Sequence, residues 1–98
     1  MQMAKVTGTV VATQKDPNLT GFALQLVQPV DMATGEPQGR PMVAADTVGA
    51  GMGDMVMIVG GSSARLTSKT KNAPVDLAIV GIIDRVDLAE RDSDYGSL

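Results

Sequence analysis

Lys5-Val6-Thr7-Gly8-Thr9-Val10-Val11-Ala12-Thr13-Gln14-Lys15 alternates with a period of two. From Ala4 onward, one face reads Ala4, Val6, Gly8, Val10, Ala12, and the other Lys5, Thr7, Thr9, Val11, Thr13, Lys15. Successive side chains of a strand point to opposite faces, so this pattern predicts a half-buried strand over 4–14. Its β-branched content suits a pleated surface. Asp16-Pro17-Asn18 then supplies turn chemistry. A second strand follows over 22–30, with Phe22, Leu24 and Leu26 on one face.

Working outward, the period persists. The Gly- and Pro-rich stretch 31–41 reads as a hairpin or loop, followed by strands over 42–48 and 54–59. Residues 60–72 are polar and irregular, with one helical turn expected near Ser63–Leu66. A last strand over 75–86 carries the unbroken run Leu77-Ala78-Ile79-Val80-Gly81-Ile82-Ile83. Five short strands predict an all-β fold, a small five-stranded OB-like barrel with one short helical turn. Gly8 and Gly81 lie mid-strand, where glycine marks a bend or bulge at a barrel corner. A single domain is expected over 1–86. The acidic tail 87–98 has too little apolar content to pack by itself and reads as mobile without a partner.

Composition excludes much chemistry. The 98 residues hold no cysteine and no histidine, which removes disulfides, thiol nucleophiles, and the commonest general base and metal ligand. Eight Lys+Arg against eleven Asp+Glu give a net charge of −3, and aromatic residues are 2%. A basic face and a stacking platform are both missing, so no nucleic-acid partner is expected. The N-terminus shows no signal-peptide pattern and no apolar run is long enough to span a bilayer. The expected location is cytoplasmic, with no membrane partner.

Individual motifs read as structural. Gly49-Ala50-Gly51-Met52-Gly53-Asp54 has its third glycine one position too early for a dinucleotide fingerprint, and a strand follows it rather than a helix. Gly60-Gly61-Ser62-Ser63 lacks the Lys-Ser/Thr ending of a phosphate loop. Asp46, Asp54, Asp76 and Asp84 are scattered at strand ends rather than clustered for a metal. Met55 and Met57 share a strand face and read as core filling. The expected inventory is therefore no catalytic residue, no metal site and no cofactor.

Several strands are apolar on both faces: Val43-Ala44-Ala45, Met55-Val56-Met57-Ile58-Val59 and the last run. A lone small barrel needs only its inward face apolar. The second face needs a cover, either another copy of the chain or one of its own loops, and the short chain favours another copy.

Taken together, three blocks match something. They are residues 5–15 with Leu26-Val27-Gln28-Pro29; Ala45-Asp46-Thr47-Val48-Gly49-Ala50-Gly51-Met52-Gly53-Asp54 running into Gly61-Ser62-Ser63-Ala64-Arg65; and Pro74-Val75-Asp76-Leu77-Ala78-Ile79-Val80-Gly81-Ile82-Ile83-Asp84. Over about 3–84 the chain resembles the pentameric vertex proteins of bacterial microcompartments, with departures in 31–40, 66–73 and the tail. The resemblance implies a non-enzymatic shell protein whose homopentamers cap the fivefold vertices of a polyhedral shell. It also implies hexameric and trimeric shell proteins as partners. Within that reading, Gly49, Ala50, Gly51, Gly53, Ile79 and Ile82 are candidates for the subunit interface or pore. Gly61, Ser62, Ser63 and Arg65 are candidates for contact with the shell tiles. The alternative is a small OB-type module binding a ligand or oligonucleotide, which would want the basic and aromatic residues this chain lacks.

Overall fold

The computed structural model describes residues 1–12, 17, 22–61 and 76–89. Five strands are present: β1 (Gln2–Val10), β2 (Ala23–Val30), β3 (Met42–Asp46), β4 (Met55–Gly60) and β5 (Leu77–Ile82). They close into a barrel in the order β1-β2-β3-β5-β4. All pairings are antiparallel except β3 with β5, which run parallel through Ala45↔Ala78 and Asp46↔Ile79. The helical turn expected at Ser63–Leu66 and most of the tail lie outside the described residues.

The inward faces supply the core. Ala4, Val6, Val27, Ala44, Ala50, Val56, Ile58 and Ile79 form one buried cluster, with Met42 and Leu77 packed against it. Each fully buried valine or isoleucine contributes on the order of 1.5–3 kcal/mol through the apolar area it removes from water.

Both mid-strand glycines sit at irregularities. The β1–β2 register shifts between Val6 and Gly8, and the β4–β5 register shifts between Met57 and Ile58, opposite Gly81 and Ile79. The first shift corrects the face assignment of β1. Ala4 and Val6 point inward as expected, but one extra residue at the bulge reverses the phase. Beyond it, Thr9 faces Gln25 and Val10 faces Leu24. In the second strand Phe22, Leu24 and Leu26 share one face as expected, and the barrel decides which face it is. Its inward residues are Gln25 and Val27, and the Phe22-Leu24-Leu26 face lies outside the barrel.

Outside, Ala45, Val59 and Ala78 form a second buried cluster, with Phe22, Leu24 and Val80 packed on it. The chain itself therefore covers this part of its two-faced strands, the role assigned above to another copy. Met55 and Met57 are half-buried on β4 between the inward Val56 and Ile58, so they do not fill the barrel core.

Candidate functional site

One end of the barrel is closed by the segment from Asp46 to Asp54. Asp46 ends β3 and is only 7% exposed, and Gln25 beside it is 6% exposed. The Val48 and Gly49 amides donate to Asp46 Oδ1 at 3.0 and 2.9 Å. Gln25 Nε2 donates to Asp46 Oδ2 at 3.3 Å and to the Ala50 carbonyl at 3.0 Å. Thr9 Oγ1 donates to Gln25 Oε1 at 3.0 Å, so β1, β2, β3 and the loop share one network. Among the described residues, no buried side-chain nitrogen or oxygen lacks a partner. Complete pairing matters here, because an unmatched buried polar group costs about 1–3 kcal/mol.

The rest of the loop is fastened to β1. The Gly53 amide donates to the Val6 carbonyl at 2.8 Å, and the Val6 amide to the Asp54 carbonyl at 2.9 Å. Asp54 Oδ2 accepts from the Gly51 amide at 2.8 Å. Gly49 and Gly53 have φ of 79° and 87°, a region that favours glycine. Gly51 does not, and a Cβ there would meet only Asp54 Oδ2, at an ordinary 3.7 Å. Ala50 tucks into the barrel core, while Val48 and Met52 stand exposed. The product is a rigid loop with an apolar tip.

The candidate interface residues separate by placement. Gly49, Gly51 and Gly53 are on the exposed part of this loop, and Ile82 is 44% exposed at the end of β5. Ile79 and Ala50 belong to the barrel interior, where the chain's own strands enclose them. Of the candidate tile contacts only Gly61 is described. It is exposed, has φ of 60°, and its amide donates to the Asp76 carbonyl at 3.0 Å. Ser62, Ser63 and Arg65 lie outside the described residues.

A second surface was not legible from the sequence. Met3, Met32, Met57, Ile82, Ile83 and Val86 line an open groove, together with the exposed Asp84 and Arg85. Met3 and Met57 are cross-strand partners between β1 and β4. Their strand neighbours Ala4 and Val56 point into the core, so the two methionines face outward. The signal available was the methionine at alternate positions of β4, but which face it occupied depended on the barrel.

Among the described residues no group of three or more acids could hold a metal. Asp31 Oδ1 accepts from the Ala33 and Thr34 amides at 2.8 and 2.9 Å. The Thr34 and then the Ala33 amide bonds hold that carboxyl below its usual range. What the arrangement offers is shaped surface.

Comparison with known proteins agrees. Residues 1–84 match the family model described as ethanolamine utilisation protein EutN/carboxysome. The chain belongs to this family. Among EutN/carboxysome relatives, the Synechocystis carboxysome shell vertex protein CcmL is 51% identical over 91% of this chain and 88% of its own length. The Salmonella typhimurium microcompartment shell vertex protein PduN is 50% identical over 86% of this chain and 96% of its own. The solved pentameric shell protein GrpN of Rhodospirillum rubrum superposes with a TM-score of 0.80 at 40% identity, covering 91% of this chain and all of that one. Members of the EutN/carboxysome family are structural shell vertex proteins, and this chain is a microcompartment shell protein, not an enzyme. Its place is the microcompartment shell in the cytoplasm.

Proposed function

We propose that five copies of this chain form a ring that fills a fivefold vertex of a microcompartment shell, edge to edge with hexameric and trimeric tiles. The observation that carries this reading is the match of nearly the whole barrel to a pentameric shell protein. A sheet of hexagonal tiles stays flat unless fivefold sites are introduced, and a five-membered ring supplies one. The exposed glycines Gly49, Gly51 and Gly53 suit a place where copies approach closely, at the subunit contact or the central axis. Ile82 adds apolar surface nearby on the ring contact. Gly61, Ser62, Ser63 and Arg65 supply a small polar rim, and the arginine fork can bond carbonyls or carboxylates of a tile.

Co-expression with a hexameric shell protein tests the reading. Closed polyhedral particles are expected with the chain, and open sheets or tubes without it, as seen by electron microscopy. Native mass spectrometry of the purified chain is expected to show a species of five chain masses. A monomer at micromolar concentration, with open sheets despite co-expression, would refute it.

A further inference from the structure

The described residues present two unlike apolar surfaces, each with exposed side chains: Met32, Ile82 and Val86 on one, Val43 on the other. One is the groove over β1 and β4, in which Met3 is only 5% exposed, walled by Met32, by Ile82 at the end of β5 and by the residues after it through Val86. The other is a ridge over β2 and β3. Leu26 and Val43 are direct cross-strand partners there. The next pair along, Val27 and Met42, turns inward, so Leu26 and Val43 face out. Val43 is 49% exposed.

The strand order fixes where these surfaces lie. Going round the barrel from the β1–β4 seam, β3 is reached through β2 on one side and through β5 on the other. The groove and the ridge are therefore on opposite sides of the molecule.

Charge points the same way. β2 carries no charged residue, and the one charge on β3, Asp46, is buried in the network at the barrel end. The centres of protein interfaces are depleted of charge, whereas an ordinary solvated strand face is not. The groove is lined by six apolar residues and two charged ones, Asp84 and Arg85, both exposed. Methionine, unbranched and flexible, shapes itself to an incoming side chain.

We infer that neighbouring copies in the ring meet groove to ridge: the Met3–Met57 groove of one copy receives the Leu26–Val43 ridge of the next. A closed ring needs each subunit to show two different, complementary surfaces, whereas a twofold dimer needs only one. Two unlike apolar faces on opposite sides of one barrel meet that need. The inference rests on the ring reading above and adds the surfaces that touch.

The natural chain has no cysteine, which makes cross-linking clean. The double variant Val43→Cys/Met57→Cys, treated with a short bifunctional maleimide, should give a ladder of species ending at five chains. Each single-cysteine variant should stay at one chain mass on a denaturing gel. In parallel, Val43→Asp and Met57→Asp should each weaken assembly at least ~100-fold while leaving the far-ultraviolet circular dichroism unchanged, since an unpaired charge would be buried at the contact. Should Met57→Asp fail to fold, Met32→Asp at the exposed side of the groove tests the same face. Single-cysteine variants that cross-link as dimers would overturn the inference, because each face would then meet itself. So would intact rings of Val43→Asp, or a double variant that forms rings yet yields no ladder. A wild-type chain with no ring at all would remove the ring reading itself, and the groove-to-ridge contact with it.

Discussion

Two aspartates in this chain do the same local chemistry in opposite surroundings. Asp31 follows β2 and Asp46 ends β3. In each, Oδ1 accepts from the amides two and three residues onward: Ala33 and Thr34 in one, Val48 and Gly49 in the other. Each turn also contains a glycine with φ above 70°, Gly35 and Gly49. The difference is the second oxygen. Asp46 Oδ2 accepts from a buried glutamine that also holds Ala50 and is itself held by Thr9. The Asp31 turn is completed by bonds of its own segment, such as Gly35 amide to Asp31 carbonyl at 2.8 Å. One turn is an exposed connection; the other anchors one end of the barrel. The lesson is that a turn motif acquires structural weight from what its unused atoms reach.

The sharpest way to break the comparison is to remove both carboxylates. Asp46→Ala strands the Val48 and Gly49 amides and takes one acceptor from Gln25. The expected loss is about 3 kcal/mol or more in chemical denaturation. Asp31→Ala should shift the same curve far less, because water replaces the lost acceptor. Equal losses would show that the buried network adds nothing to the turn.

A smaller contrast comes from the glycines. A Cβ at either Gly35 or Gly49 would meet nothing within 4 Å, so sterics with neighbours do not separate them. The positive φ alone penalises alanine, by roughly 1–2 kcal/mol at a position that cannot relax. Gly49→Ala should show that cost in full, since the network holds its amide. Gly35→Ala should show less, because the exposed turn can open. Circular-dichroism melts of the two variants would compare them directly.

The smallest effect is in acid. The Asp31 carboxyl titrates below its ordinary value of 3.8, so the folded state favours the ionised form. Its contribution is fully present above that unfolded-state value and is lost as pH falls through the lowered folded value. Wild type should therefore lose slightly more stability than Asp31→Asn on going below about pH 4. Parallel acid melting curves would show that the turn bonds do not distinguish the carboxylate from an amide.

This pair also marks how far the sequence could be read. Asp31-Met32-Ala33-Thr34-Gly35 and Asp46-Thr47-Val48-Gly49 look alike as text, because burial of the second oxygen is decided by Gln25 on another strand. Gln25 itself sits amid Ala-Leu-Gln-Leu-Val, where alternation cannot say which side is inside. Strand existence was legible from local signals, period two in β1 and short apolar runs between turn residues in β4 and β5. The phase of β1 was not, because Gly8 announces a bulge without revealing that it reverses the faces of Thr9 and Val10. In Leu77-Ala78-Ile79-Val80 every residue is apolar, so only the folded barrel separates inward Ile79 from outward Val80. The groove lay further still from the text, assembled from β1, β4, the turn after β2 and the residues beyond β5.

Closure of the sheet has a consequence for how this protein can fail. Every strand is hydrogen-bonded on two sides within its own chain, even though the parallel β3–β5 seam is only two residue pairs long. An open sheet can recruit further strands without limit through its unpaired backbone, and that route leads to fibrils. Here such templating is largely shut off once the seam has formed. Contact between copies then falls chiefly to side chains, where a single misplaced charge can weaken it. The seam is thus the safeguard: a chain that opens it exchanges a self-limiting association for an unlimited one.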